Sequence, residues 1–542
     1  MTGTFADAGD PRDLGQPSPT SGVTHRRAVL NTIRGSLGNL VEWYDVYVYT
    51  VFASYFEDKF FAGDEPNAGI YTMAIFAVTF LMRPIGSLFF GRYADRHGRR
   101  PALVFSVSLM AAASLVIAVT PGREQIGAAA VVVLVLCRLL QGFATGGEYG
   151  TSATYMSEAA TRERRGFFSS FQYLTLVGGH LLAQSVLLVL QVVLSEEQIA
   201  SFGWRIAFGI GAAGALVVLY LRRQMDESLS PVDASRRRSG SLVELLTAYP
   251  RQLLVCFLVT LGGTVAFYTY SVNGPSTVKA AYEGQGMTAT WINFTSLAVL
   301  MLLQPVGGLI SDHVGRKPLL VFFGVGGLAW TWLVVRVLGE VSSPLLSWVM
   351  LVVGYVILTG YTSINAVVKA ELFPAHVRAL GVGFGYALAN SAFGGTAPVL
   401  YEAAKKNDWV PQFAFYVMAC IAVSLVVYVF VLKNRAPTYL DAESRSGNGG
   451  NGGDGGLAAS AAVGRSVPDT DQPHSLHNLY RPNRGRRSRL PLLPPDPAHG
   501  SSTWVRHVRG SWCGSAGFEA LAVVVPVAVG LGGGVGLGVF RP

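Results

Sequence analysis

Long apolar runs broken by short, charge-rich turns recur along the chain, and crossing the hydrocarbon core of a bilayer takes about 20 mostly apolar residues. On that ruler twelve helices are expected before residue 435, over 33–56, 69–91, 101–120, 126–149, 167–193, 203–221, 252–275, 290–310, 318–338, 344–366, 380–402 and 412–432. The polar turns repeat as well. Gly91, Asp95, Gly98 and Arg99, with Arg96 between them, follow the second run, and Gly308, Asp312, Gly315 and Arg316 return in the same spacing at the end of the eighth. The pair Glu158 and Arg165 is matched by Glu371 and Arg378 at nearly the same offset. Two landmarks displaced by one distance predict a duplicated chain, an all-α membrane protein of two pseudo-symmetric six-helix bundles.

Charge orients the bundles. Cations gather before the first run (Arg26, Arg27, Arg34) and after every second one, whereas the intervening turns hold few, such as Lys59, Arg123 and Lys279. Positive-inside topology then puts both termini in the cytoplasm. An arginine-bearing connector, 222–251, separates a first bundle at 27–221 from a second at 252–435. Residues 1–26 lack the apolar stretch of a signal peptide and read as a disordered cytoplasmic segment. The tail, 436–542, runs through Gly, Ser and Asn and then Pro and Arg, and reads as low-complexity and disordered. Its apolar, glycine-rich end at 521–540 leaves three readings open: a thirteenth helix, a surface segment or an unselected extension.

Composition agrees: 51% hydrophobic and 14% charged residues exclude a soluble domain, which carries about a quarter charged. The net charge of +9 lies in loop arginines that topology already explains, so no nucleic-acid partner is expected. Cys137, Cys256, Cys420 and Cys513 stand apart without metal or disulfide spacing, and no metal or cofactor is expected. Nor does a nucleophile, base and orienting group come together as an enzyme would need.

Ionisable groups at membrane depth are costly and read as functional. The first bundle has Glu42 and Asp45 on one face of the first run, Arg83 on the second, and Arg138 and Glu148 on the fourth. At 1.5 Å per residue, Glu42 matches Arg83 in depth and Asp45 matches Arg138, which allows each acid to meet a base across the bundle. Glu148, shallower, belongs either to transport or to an interfacial network with Arg92 or Arg165. The second bundle offers uncharged hydrogen-bonding groups instead: Tyr268, Tyr270, Gln304, Tyr355, Asn365, Tyr386 and Asn390. Proton and anion chemistry is therefore expected from Asp45, Glu42, Arg138 and Arg83 in the first bundle, with shape and polar contacts, Tyr268 and Asn390 among them, from the second. Protonating Asp45 would leave a neighbouring arginine uncompensated and ready for an anion.

The paired Gly-x-x-x-Asp-x-x-Gly-Arg turns resemble the signature of the major facilitator superfamily. The runs from Gly38 to Asp45, Phe80 to Gly86, Arg138 to Gly142, Gly146 to Gly150 and Lys369 to Pro374 resemble its metabolite:proton symporter family. Thr151 to Glu158, Ser170 to Tyr173 and Arg378 to Gly383 are most similar to the branch that imports α-ketoglutarate. The resemblance implies a monomer that imports a small dicarboxylate with protons across the bacterial cytoplasmic membrane by alternating access of its halves. It adds Gln172 and Tyr173 to the substrate-binding candidates, ties Arg138 and Gln141 to proton coupling or substrate binding, and makes the turns at Gly91, Asp95, Arg96, Gly98, Arg99, Asp312, Gly315 and Arg316 a cytoplasmic gate. After Tyr268 and Thr269 the chain departs from the pattern, with Ser271-Val272-Asn273-Gly274-Pro275. Rival substrates within the family are citrate, shikimate, aromatic acids, proline and betaine. A membrane metabolite sensor signalling through the tail is the alternative of another class.

Overall fold

A computed structural model describes residues 25–61, 65–97, 99–158, 160, 162–223, 242–434 and 438–441. The chain divides into a compact unit, Met1–Arg465, and a second, Ser466–Pro542, that lies wholly outside the described residues. The expectations for residues 1–24, for 224–241 of the connector and for the tail from 442 onward likewise fall outside them.

The described chain is helical, without strands. Its long elements are α1 (His25–Phe60), α2 (Ala68–Phe90), α3 (Pro101–Val119), α4 (Ala129–Thr154), α5 (Arg165–Val193), α6 (Glu196–Leu221), α7 (Pro250–Ala281), α8 (Gly286–Val314), α9 (Arg316–Glu340), α10 (Pro344–Ala370), α11 (375–406) and α12 (Val410–Phe430). These match the twelve expected runs. Ten of them are long and apolar enough to cross a membrane. The other two, α1 and α11, are long enough but carry Asn39, Glu42 and Asp45 in one case and Asn390, Ser391 and several glycines in the other. The least apolar helices are those that bring polar groups to the interior.

Several helices run further than the hydropathy ruler predicts, α7 and α10 among them. In α7 the segment Thr269–Asn273 is a π-helical turn, after which Gly274–Ala281 resumes as α-helix with its proline in the first turn, where a missing N–H costs nothing. The expected end at residue 275 is thus a local widening, and Lys279 belongs to the helix. Likewise Asn365–Ala370 extends α10 past residue 366 and carries Lys369 into the interior. The picture of a second half without buried charge is corrected at that position.

Packing follows from small residues, since lipid supplies no hydrophobic drive between helices. Helix α5 lies along both α1 and α8, and α2 and α4 reach α11, so the two halves touch through these pairs. A Cβ on Gly308 of α8 would stand 2.6 Å from the Gly166 carbonyl oxygen of α5. Within the first half, a Cβ on Gly142 of α4 would collide with the Thr79 carbonyl of α2. Gly142→Ala must therefore force α2 and α4 apart, and an overpacking cost of about 1–3 kcal/mol is expected. A thermal midpoint in detergent unchanged from the parent protein would refute that account of the crossing.

Candidate functional site

Asp45 sits on α1, 2% exposed, and accepts hydrogen bonds from Ser114 Oγ of α3 and, at 2.6 Å, from Gln141 Nε2 of α4. One turn earlier on α4, Arg138 donates from Nη1 to Gln141 Oε1 at 2.9 Å. Asp45 and Arg138 do not pair directly; the Gln141 amide stands between them and serves both. Ser114, unremarked in the sequence as one hydroxyl among many in an apolar run, completes the carboxylate's shell.

Both arginines are short of acceptors. Arg138, fully buried, leaves Nε and Nη2 without partners and lies 4.4 Å from the Tyr49 ring centroid. Arg83 leaves Nε and Nη2 unpartnered and is held between the rings of Trp43 at 4.9 Å and Phe80 at 4.2 Å. Among the described residues no carboxylate comes within ion-pairing distance of Arg83, and the pairing with Glu42 that equal depth allows does not form. Trp43 occupies the space, and its π face supplies part of the missing compensation. Glu42 instead lines a small recess between α1, α3 and α4 with Glu148. Arg165, one suggested partner for Glu148, bonds Asp441 at 2.8 Å and the Leu440 carbonyl at 3.0 Å. The side chain of Arg92, the other, lies outside the described residues.

The second half closes over this cluster. Tyr268 packs edge-on against Phe80 and Phe76, and its hydroxyl has no partner. The other candidates have spent their hydrogen bonds between helices. Gln172 accepts from Ser152 Oγ at 2.9 Å and donates to Asn39 at 3.4 Å, Tyr173 accepts from Asn365 at 3.0 Å, and Asn390 accepts from Thr264 at 2.5 Å. On the face away from the termini a cavity of about 220 Å³ opens among Ser54, His180, Ser271, Asn273, Asn293 and Lys279. Lys279 bridges the halves there, donating to Ser54 Oγ at 2.6 Å. His180, stacked 4.0 Å from Tyr47, is a buried histidine that the sequence flagged only by its place in an apolar run.

On the terminal face, Asp312 caps α5. Its carboxylate accepts from the backbone amides of Gly166 at 2.7 Å and Phe167 at 2.9 Å, and from Arg316 at 2.8 Å. A carboxylate at a helix N-terminus satisfies otherwise orphaned N–H groups and the helix dipole. Gly315, at φ +95°, makes the turn that returns Arg316 onto Asp312. Arg316 also reaches Glu371 at 3.6 Å; burial raises the Glu371 carboxyl above its ordinary range, against the pull of Arg316. The first-half counterpart includes Gly91; Gly98 and the side chains of Asp95, Arg96 and Arg99 lie outside the described residues. Residues 438–441, expected in a disordered tail, dock here, with Leu440 buried and Asp441 on Arg165. Asp312→Ala should cost about 0.5–2 kcal/mol of cap. Deuterium exchange at the amides of Gly166 and Phe167 should then speed up, with Asp312→Asn intermediate; unchanged exchange would show that the cap does not hold the helix end.

The sugar (and other) transporter family matches residues 32–230 and 221–438. The chain is 42% identical over 409 residues to the alpha-ketoglutarate permease of Escherichia coli (strain K12), covering 75% of this chain and 94% of that one. It is 29% identical over 411 residues to the proline/betaine transporter of the same strain, covering 73% and 81%. Among solved structures it is similar to the major facilitator superfamily proton:xylose symporter XylE bound to 6-bromo-6-deoxy-D-glucose, with a TM-score of 0.63 at 18% identity over 76% of this chain and 98% of that one. A partially occluded inward-open form of XylE from E. coli gives 0.58 at 19% identity over 75% and 98%. Motif, helix order and fold coincide over the same stretch, and the chain belongs to the sugar (and other) transporter family of the major facilitator superfamily, multi-pass membrane transporters rather than enzymes.

Proposed function

We propose that the chain imports α-ketoglutarate, or a closely related dicarboxylate, together with protons across the bacterial cytoplasmic membrane. Two bundles, 27–221 and 252–435, alternate access to a site between them, with both termini cytoplasmic and the monomer as the working unit. The observation that carries this reading is the pair of buried arginines, Arg83 and Arg138, with four guanidinium nitrogens lacking acceptors and, among the described residues, no carboxylate in contact. An uncompensated buried cation is costly, and a bound anion relieves it. The 42% identity to an alpha-ketoglutarate permease supports this substrate over the zwitterions named for more distant relatives.

Proton coupling follows from the Asp45, Gln141 and Arg138 chain. Ionised, Asp45 accepts from Gln141 and its charge offsets that of Arg138. Protonated, it has lost that charge, although its carbonyl oxygen can still accept from Gln141. Arg138 is then uncompensated and gains most from an anion. Proton and substrate load together and leave together. Glu42, in a recess shared with Glu148, is a second candidate carrier.

Purified protein in proteoliposomes should accumulate labelled α-ketoglutarate under an inward proton gradient, and a protonophore should collapse that accumulation. Proline uptake in its place would refute the substrate assignment. Asp45→Asn should abolish uphill accumulation yet retain exchange of α-ketoglutarate across the membrane. Arg138→Gln removes charge-assisted bonds of about 1.5–3 kcal/mol, which should raise the KM for exchange about ten- to a hundredfold. A variant Asp45→Asn that still accumulates substrate would overturn the coupling scheme.

A further inference from the structure

Lys369 is a fully buried lysine at the end of α10. Its ammonium donates to the Tyr149 hydroxyl at 3.1 Å and lies over the rings of Tyr386 at 4.0 Å and Tyr149 at 5.0 Å. Among the described residues no carboxylate is within ion-pairing distance of it. An ammonium has three N–H donors, and one is accounted for. Tyr149 belongs to the first half and Tyr386 to the second, and their rings stack with centroids 3.5 Å apart. Lys369 therefore sits on the seam along which the halves part. A lysine that only filled space would extend its head toward water, as the stems of long cationic side chains permit. This one points inward, against π faces that offset part of its charge.

The surroundings are those of a ligand site. Asn365, one turn away, donates to Tyr149 at 3.3 Å and Tyr173 at 3.0 Å while its own carbonyl oxygen has no partner. Tyr386 also lies within the electrostatic reach of Arg83. The ring thus has the unpaired arginine of one half acting on it and the unpaired lysine of the other above it.

We propose that Lys369 is the second half's carboxylate-binding cation, so that a substrate with two carboxylates is held at one end by Arg83 and Arg138 and at the other by Lys369. The inference rests on the proposed import of an α-ketoglutarate-like anion and adds the residue that selects two carboxylates over one. In the unloaded protein Tyr149 and Tyr386 hold the ammonium; a carboxylate takes their place. Because its two charges engage opposite halves, a dicarboxylate draws the bundles together, which a monocarboxylate cannot do.

The test uses the full chain in proteoliposomes, with labelled α-ketoglutarate and, as competitor, 2-oxovalerate, which has the same carbon chain and one carboxylate. The parent protein should favour α-ketoglutarate by about a hundredfold or more, as expected of a site whose buried polar group is left unpaired by the smaller analogue. Lys369→Gln should raise the KM for α-ketoglutarate about tenfold or more and shrink that preference to a few-fold, and Lys369→Arg should restore most of it. Lys369→Met, which keeps the stem and drops the charge, replaces the glutamine variant if that fails to reach the membrane. A neutral variant that loses rate but keeps the parent's preference would overturn the role of Lys369 and leave the proposed function standing. A parent protein that carries no dicarboxylate would overturn both.

Discussion

The constraint on which the rest of this structure depends is the cost of holding a cation inside the membrane without an acid beside it. Breaking one side of a buried pair typically costs about 3–5 kcal/mol, and here three cations, Arg83, Arg138 and Lys369, are buried without a contacting carboxylate among the described residues. Each is met by aromatic faces: Trp43 and Phe80, Tyr49, and Tyr386 with Tyr149. Such contacts return about 2 kcal/mol when desolvated, less than the charge loses. The deficit is tolerable only in a molecule that has something to gain from it. In a transporter that gain is the affinity for a transient anion.

The same constraint accounts for where the chain departs from a plain apolar helix. Helices α1 and α11 are less apolar than the other ten because they bring Asp45, Glu42, Tyr386 and Asn390 inward, and π-helical turns interrupt both α7 and α11 at Thr269–Asn273 and Asn390–Gly394. A widened turn re-aims side chains at the expense of regular hydrogen bonding, and it is tolerated where neighbouring helices can supply partners. Tyr355 of α10 does so directly, donating to the Tyr270 carbonyl within the α7 turn at 3.2 Å. Glycines at Gly166 and Gly308 let α5 and α8 touch across the seam, and Asp312 fixes the end of α5 from the other half. Rigid halves and a breakable seam are what rocking motion between two repeats requires.

Much of this was legible before any coordinates. Twelve apolar runs gave twelve helices because backbone groups in lipid have no alternative partners. The repeated turn predicted a duplicated chain, and depth counting singled out Asp45 and Arg138, which share Gln141. What escaped was lateral detail. A depth count cannot say that Gln141 comes between acid and base, or that Trp43 rather than Glu42 faces Arg83, since those depend on helix rotation. Lys369 escaped for a different reason. It lies beyond residue 366, where the tenth apolar run ends in sequence; only the continuation of α10 through Ala370 brings it inward.

The arrangement around Gln141 bears on why coupling would use an amide instead of a direct ion pair. A contacting Asp45 and Arg138 in a low-dielectric interior would satisfy each other and leave little affinity for substrate in either protonation state. With Gln141 between them, the arginine keeps two nitrogens without acceptors while remaining in the field of the carboxylate. Its demand for an anion then depends on the charge of Asp45, the condition for a proton to alter substrate affinity. A coupling free energy has to be small enough to reverse in each cycle, typically about 1–3 kcal/mol between two ligand sites. An interaction transmitted through one hydrogen-bonded amide falls in that range, whereas a buried contact pair exceeds it and would trap the loaded state.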